Sequence, residues 1–154
     1  MIQFEHVHKT YRRATSEVAA ISDLSFSVDE GEFIAVRGPS GCGKSTLLSL
    51  AGGLVLPTQG RILIDGQPVS EMTAAQRSSF RGEKIGFVFQ MFHLLPYLTI
   101  IENVVVAGSE VASAAVGERA ETLLSDFGLT DRLTHRPGEL SAGERQRVAL
   151  ARAL

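Results

Sequence analysis

The pattern of apolar and polar residues changes from strand-like to helical within the first third of the chain. Apolar positions alternate near residues 2–7 and again over residues 18–28, which predicts two strands. The run Phe33–Val36 is continuously apolar, as expected of a short strand that is buried on both faces. Residues 47–51 then follow helical spacing, and this helix ends at Gly52. These patterns predict a hairpin-like β layer, a buried strand and a helix.

The middle of the chain predicts a further alternation of strands and helices. Residues 60–66 have the pattern of a hairpin strand, and residues 73–81 that of a polar helix. Residues 85–89, with the sequence IGFVF, predict a second short buried strand. Buried strands that alternate with helices indicate an α/β core.

From Met91 onward the pattern is helical. Residues 99–107 predict one helix, and the apolar residues within 116–127 recur at the spacing of an amphipathic helix, with Gly128 as its C-terminal cap. A last helix begins near Ser141 and continues to the end of the sequence. A helical last third therefore follows the α/β part.

Composition and charge narrow the possible functions. A chain of 154 residues suffices for one domain, and 44% hydrophobic with 21% charged residues is typical of a packed globular protein. The formal net charge of -2 supplies no positive field that would hold a phosphate backbone. Nucleic acid is therefore not expected as a partner.

The sequence also indicates a compartment. The longest stretch without charged residues, 85–101, is interrupted by polar side chains and is shorter than the roughly 20 apolar residues of a membrane span. The N-terminus has neither the basic segment nor the apolar core of a secretory signal. The single cysteine, Cys42, cannot form an internal disulfide, which is typical of a reducing compartment. We therefore expect a cytoplasmic protein.

The strongest motif lies between the predicted strand at 33–36 and the predicted helix at 47–51. It fits G-x-x-x-x-G-K-[ST], the pattern of a phosphate-binding loop. The glycines of such a loop let backbone N–H groups point inward at phosphate oxygens, and the following helix adds the positive end of its dipole. The motif and the threonine that follows it comprise Gly38, Pro39, Ser40, Gly41, Cys42, Gly43, Lys44, Ser45 and Thr46.

This loop predicts a site for ATP with Mg²⁺. Lys44 would reach the β- and γ-phosphates, and the hydroxyl of Ser45 would ligate the metal. The alternative is a glycine-rich turn that binds no ligand. The position between a strand and a helix favours the phosphate site, because phosphate loops have this structural context.

Two later segments follow the loop in an order that identifies a family. Gln90 comes directly after the predicted strand at 85–89, and residues 140–147 read LSAGERQR. With the phosphate loop, they resemble the Q-loop and the signature motif of the ATP-binding subunits of ABC transporters, and Tyr11 lies where this family has an aromatic residue. The resemblance spans essentially the whole chain. It implies a partial P-loop NTPase core of the ABC type with an N-terminal β layer and a helical subdomain.

The resemblance implies a role for each of these residues. Tyr11 would stack on adenine, and Gln90 would contact Mg²⁺ and the attacking water and report the nucleotide state to the membrane subunit. Ser141, Gly143 and Glu144 would contact the ATP that is bound to the loop of a second chain. Alternatives exist for the first two residues: Tyr11 as an aromatic residue at a strand end, and Gln90 as an ordinary polar loop residue.

The signature departs from the family's usual LSGGQ at two positions. Ala142 adds a Cβ where backbone approaches a phosphate, and Glu144 replaces a glutamine. Judged from the residues alone, Ser141-x-x-Glu144 is a capping box that opens the last helix. A helix start with Ser141 and free N–H groups is itself an anion site, so capping and phosphate binding share one geometry.

The run Arg81–Val104 resembles, more narrowly, the lipoprotein-release and macrolide-export branch of the family. An apolar cluster in it follows Gln90, where the family has the groove that receives a helix of the membrane subunit, and some members of the cluster are also expected in the core. His93 and His135 lack metal-ligand spacing and are expected to be structural. The apolar cluster consists of Met91, Phe92, Leu94, Leu95 and Tyr97.

Several motifs of the family are missing from this sequence. No apolar run ending in Asp-Glu, the Walker B strand, follows the signature, and the D-loop and the switch histidine are also missing. Residues 62–65 end in Asp, but they precede the Q-loop and resemble the family's early hairpin. We therefore expect a single incomplete ATP-binding domain over 1–154, with the β layer and partial core in 1–90 and the helical subdomain in 91–154. Without the catalytic glutamate, this chain alone is not expected to hydrolyse ATP.

The expected function is that of an ABC transporter subunit that binds MgATP and, in a full-length parent, powers transport by ATP-driven dimerisation and hydrolysis. The expected partners are a second ATP-binding subunit in a head-to-tail dimer and a membrane-spanning permease subunit. The permease would hold the protein on the inner face of the plasma membrane. Two alternatives are a nucleotide-gated binding module without hydrolysis and a soluble ABC ATPase outside transport. A second cassette or a long inserted arm would favour the latter, and the sequence has neither.

Overall fold

The computed structural model describes residues 1–14, 16–108 and 114–154, and these form two compact units, 1–81 and 82–154. The first unit combines a sheet with helices, and the second contains helices and extended segments. The predicted α/β class is confirmed. Within the described ranges, no helix is long and apolar enough to cross a membrane.

The first unit is built on a four-stranded antiparallel sheet in the order β2-β1-β3-β4. Strands β1 (Ile2–Arg13) and β2 (Ser16–Val28) form the predicted hairpin. Strand β3 (Gln59–Ile64) pairs with β1 on its other edge and turns back into the short β4 (Gln67–Pro68). An Asp-Gly pair makes this last turn, as is typical of two-residue hairpins.

Two helices of the chain follow the hairpin, α1 (Lys44–Ala51) and α2 (Ala74–Lys84), both close to their predicted positions. Phe4 of the sheet stacks on Phe26 of the neighbouring strand, with ring centroids 4.6 Å apart. The buried apolar side chains of this unit are Phe4, Val7, Leu50, Ile62, Ile64, Val69 and Phe80. Burial of these side chains holds the sheet and helices together.

The second unit packs three helices around one apolar cluster. They are α3 (Ile100–Val105), α4 (Ala114–Asp126) and α5 (Ala142–Ala153), which agree with the helices predicted from periodicity. The buried members of the cluster are Ile100, Val104, Ala120, Leu124, Leu129, Leu140, Val148 and Ala151.

The two predicted buried strands are not formed. Among the described residues, neither 33–36 nor 85–89 pairs with another strand, and Phe33 is 97% exposed. A strand needs neighbours, because its N–H and C=O groups must find partners along both edges. The continuous apolar pattern predicts a strand on the condition that neighbouring strands are present. The described part of this chain supplies no neighbour for either segment. The prediction of these strands was therefore wrong.

Asn103 links helix α3 to the loop that precedes it. Its side chain is fully buried. Its Oδ1 accepts a hydrogen bond from the N–H of Leu95 at 2.7 Å. Its Nδ2 donates to the carbonyl oxygens of Leu95, Leu98 and Thr99 at 3.1, 3.2 and 2.9 Å. One amide therefore satisfies backbone groups of a loop that has no strand or helix to satisfy them.

We expect Asn103→Leu to lower the free energy of unfolding by about 3 kcal/mol, because it leaves buried backbone donors and acceptors without partners. Urea unfolding followed by circular dichroism measures the change. Gln146→Leu, on the exposed side of α5, is the matched control and should change stability by less than about 0.5 kcal/mol. Equal effects of the two substitutions would contradict this role of Asn103.

Candidate functional site

The phosphate-loop motif forms a turn that leads directly into α1. The N–H of Cys42 donates to the carbonyl oxygen of Pro39 at 3.4 Å, and the N–H of Leu47 donates to that of Gly43 at 2.8 Å. Gly43 is the N-cap residue, in the left-handed region with φ 95°. A Cβ at this position would lie 2.5 Å from the carbonyl oxygen of Ala20 in β2. Only glycine therefore permits both the conformation and the close packing.

The start of α1 differs from the other described helix starts. At α2, α3 and α5, a side-chain oxygen of Thr73, Thr99 or Ser141 accepts a hydrogen bond from the N–H three residues later. At α1 the N-cap is a glycine, no side chain caps it, and the first turn contains no acidic residue. Among these four starts, α1 alone has no side chain that caps an N–H group of its first turn, so all of these groups are available to an anion.

Lys44 folds back over the loop that precedes it. Its Nζ donates to the carbonyl oxygens of Gly38 and Pro39 at 2.8 and 2.7 Å. It also lies 3.7 Å from Sγ of Cys42, which is exposed. The ammonium is therefore held beside the helix start by neutral carbonyl groups. A phosphate oxygen is a stronger partner for an ammonium than a carbonyl oxygen is, so these bonds can be exchanged for bonds to a phosphate.

The other residues of the motif lie at the surface. Ser40, Gly41 and Ser45 are exposed, and Thr46 is half-buried. Ser45 begins the first turn of α1 beside Lys44. Mg²⁺ in nucleotide sites is commonly held by one or two protein oxygens together with phosphate oxygens and waters. The hydroxyl of Ser45 fits this requirement, and no group of three metal-ligating side chains occurs in the described part of the chain.

Tyr11 lies on the same hairpin that packs against the loop. It pairs across the hairpin with Val18, two residues from Ala20, which contacts Gly43. The ring is 40% exposed, and the ammonium of Lys9 lies 5.0 Å from its centroid, within the range of a cation–π contact. Tyr11 and the loop therefore belong to one region of the first unit. The contact with Lys9 was not foreseen, because it depends on local strand geometry.

Gln90 lies in the second unit, in a tight turn. The N–H of Phe92 donates to the carbonyl oxygen of Phe89 at 2.9 Å, which closes the turn around Gln90 and Met91. Gln90 itself is exposed. The ring of His93 contacts that of Phe89 edge to face, with centroids 5.1 Å apart. The turn that presents Gln90 is thus held by both backbone and ring contacts.

The apolar cluster after Gln90 divides between surface and core. Met91 and Tyr97 are 75% and 66% exposed, whereas the other members are half-buried. Leu94 packs against the core of the helices. His135 lies elsewhere in this unit, where its carbonyl oxygen accepts a hydrogen bond from the N–H of Ile100.

The signature residues form the start of α5. Oγ of Ser141 accepts from the N–H of Glu144 at 3.3 Å and donates to its carboxylate at 2.7 Å, and the N–H of Ser141 donates to the same oxygen at 2.8 Å. Arg132 lies 3.5 Å from the other carboxylate oxygen. The bonds from the Ser141 hydroxyl and N–H lower the pKa of Glu144 from 4.5 to about 2, with a smaller effect from Arg132. Ala142 and Gly143 occupy the exposed first turn.

The predicted site residues therefore fall into two groups. The loop and Tyr11 belong to the first unit, whereas Gln90 and the signature belong to the second. The involvement of Arg132 was missed, because an arginine twelve positions from a glutamate carries no periodic signal in the sequence.

Comparisons with known proteins complete the description. The model of the ABC transporter family matches residues 21–154. A dimeric structure of a post-hydrolysis state of the ATP-binding cassette MJ0796, bound to ADP and Pi, is 38% identical with a TM-score of 0.91. A dimeric structure of MJ0796 described as a bacterial ABC transporter cassette is also 38% identical, with a TM-score of 0.92. Both matches cover 100% of this chain and 69% of the other. The resemblance seen in the sequence is confirmed, and the chain belongs to the ABC transporter family.

Proposed function

We propose that the chain binds MgATP through residues 38–46 as the nucleotide-binding part of an ABC transporter ATPase. The observation that carries this proposal is the start of α1, where Gly43 leaves the first N–H groups uncapped and Lys44 lies over the loop. The similar cassette MJ0796, bound to ADP and Pi, supports a nucleotide as the ligand.

The residues of the loop would contact the phosphates and the metal together. The N–H groups at the start of α1 would donate to phosphate oxygens, and Lys44 would exchange its bonds to Gly38 and Pro39 for bonds to the β- and γ-phosphates. Ser45 would ligate Mg²⁺, which neutralises the phosphates when it is bound. Tyr11, held by Lys9, would stack on adenine.

The proposal extends to an assembly of two such chains and a permease. The signature of one chain, with Ser141, Gly143 and Glu144, would close over the ATP of the other, and the dimeric state of the MJ0796 structures supports such a pairing. Gln90 would contact Mg²⁺ and the attacking water, and the exposed Met91 and Tyr97 would face the permease at the inner face of the membrane. We propose hydrolysis and transport for the complete assembly, since no Asp-Glu pair that could activate water follows the signature motif in these 154 residues.

Phosphate binding by the signature would compete with helix capping. The hydroxyl of Ser141 donates to Glu144, so it would have to rotate away before it could donate to a γ-phosphate. The carboxylate of Glu144 repels a phosphate, and Arg132 offsets part of its charge. The signature would therefore rest as a helix cap and bind phosphate only when a partner's ATP displaces the hydroxyl.

We expect Lys44→Ala to weaken ATP binding by roughly 10- to 150-fold, because one charge-assisted hydrogen-bonding group is lost. A titration with a fluorescent ATP analogue measures the affinity, and circular dichroism checks that the fold is kept. Lys84→Ala, at an exposed lysine outside the motif, is the matched control and should bind as the unchanged chain does. Equal affinities of the Lys44 and Lys84 variants would rule out the proposed phosphate site.

The capping box predicts a specific acid response. Because the pKa of Glu144 falls from 4.5 to about 2 on folding, its bonds stabilise the fold fully above pH 4.5 and lose this effect as pH falls toward 2. Glu144→Gln should therefore lower the melting temperature at pH 7, and the difference from the unchanged chain should shrink between pH 4.5 and pH 2. Thermal melts across this range measure it.

The control for this experiment is Glu118→Gln, at an exposed glutamate of α4. It should not reproduce the pH-dependent difference. A Glu144→Gln difference that stays constant from pH 7 to pH 2 would show that the carboxylate charge does not stabilise the start of α5.

A further inference from the structure

Arg152, near the end of α5, binds the turn that follows Gln90. Its Nη1 donates to the carbonyl oxygen of His93 at 2.7 Å, and its Nη2 donates to that of Phe92 at 2.5 Å. The planar guanidinium therefore contacts two consecutive backbone carbonyl groups. This arrangement uses the fork geometry that arginine has and lysine lacks.

The two residues that Arg152 holds have an unusual backbone conformation. Phe92 and His93 have φ values of 58° and 47°, in the left-handed region, although neither is glycine. Such a conformation is costly for residues with large side chains and persists only where the surrounding structure holds it. Bonds within the turn join Phe92 to Phe89 and His93 to Met91, and the bonds from outside the turn come from Arg152.

The strained pair Phe92–His93 directly follows the segment that contains Gln90 and so affects the orientation of Gln90. Gln90 is the second residue of the turn that ends at Phe92, so the peptide planes of the turn set the direction of its side chain. Helix α5 has the signature residue Ser141 at one end and Arg152 near the other. The two are separated by about 16 Å of helix at 1.5 Å per residue. One regular helix therefore joins the signature to the turn of Gln90 within the second unit.

We propose that Arg152 is a positioning residue for Gln90, which fixes the left-handed pair Phe92–His93 and makes the turn move together with α5. A displacement at the Ser141 end of the helix would then be transmitted to Gln90 through the guanidinium. The part of this inference that concerns nucleotide rests on the proposed function, whereas the part that concerns the turn does not.

Amide hydrogen exchange of the nucleotide-free chain, resolved by NMR, tests the role of Arg152 in the turn. The amides of Phe92 and His93 donate to Phe89 and Met91 within the turn. In Arg152→Ala they should exchange about ten times faster or more, because the turn opens more readily once both bonds to the carbonyl groups of the pair are lost. Arg152→Lys keeps the charge and offers one ammonium in place of the fork, so it should restore protection only in part. If the alanine variant does not fold, the exchange rates of the same two amides are measured in the lysine variant instead.

Arg145→Ala is the matched control. Arg145 is also on α5 and also donates to two backbone carbonyl oxygens, those of Pro137 and Leu140, at the opposite end of the helix. It should leave the exchange of Phe92 and His93 unchanged. Unchanged exchange in both Arg152 variants, or an equal acceleration in Arg145→Ala, would overturn the proposal.

A second readout tests the consequence for Gln90. The ratio of the affinity for MgATP to that for ATP without Mg²⁺ should fall several-fold in Arg152→Ala, because the proposed role of Gln90 lies at the metal, and should be partly restored in Arg152→Lys. If Arg152 had only a structural role, its substitution would weaken the binding of MgATP and of metal-free ATP equally. An unchanged ratio would therefore overturn the proposal that Arg152 positions Gln90. If the unchanged chain binds neither form, the proposed function fails, and the exchange data alone decide whether Arg152 holds the turn.

Discussion

The contact of Gly43 with Ala20 determines the geometry of the candidate nucleotide site. The backbone at Gly43 lies so close to the carbonyl oxygen of β2 that a Cβ would be 2.5 Å from it, and the left-handed φ of 95° again requires glycine. This contact sets the loop against the hairpin that carries Tyr11. It also places a residue without a side chain at the N-cap of α1, so the first N–H groups of the helix stay free for an anion.

The described helix starts are of two kinds, which differ in whether a side chain caps the first turn. Where Thr73, Thr99 or Ser141 precedes a helix, its side-chain oxygen satisfies the N–H three residues later, and at α3 and α5 a glutamate completes the capping box. Where Gly43 precedes α1, no side chain satisfies the backbone, and a lysine supplies positive charge instead. A start of the first kind gives one N–H group a partner within the protein, whereas a start of the second kind leaves that group to a ligand as well.

How much could be predicted from the sequence depended on whether the feature is local. The phosphate loop and the capping box at Ser141 need particular residue types at fixed short spacings, so both were recognisable. The hairpin and the helices followed from periodicity. The unpaired conformation of segments 33–36 and 85–89 could not be predicted from their apolar pattern, because an apolar run forms a strand only beside other strands. The contacts of Arg132 and Arg152 join residues distant in sequence, and the left-handed pair at Phe92 contains no glycine that would signal it.

The central claim is that the start of α1 is the nucleotide site, and the most direct measurement is an NMR titration of the ¹⁵N-labelled chain with MgATP. The account predicts that the amide signals of Gly41, Gly43 and Lys44 shift most, because their N–H groups gain phosphate oxygens as partners. The amide of Glu102, which the capping box of α3 already satisfies, should stay in place. Saturating MgATP that leaves the signals of Gly41, Gly43 and Lys44 unmoved would contradict the account.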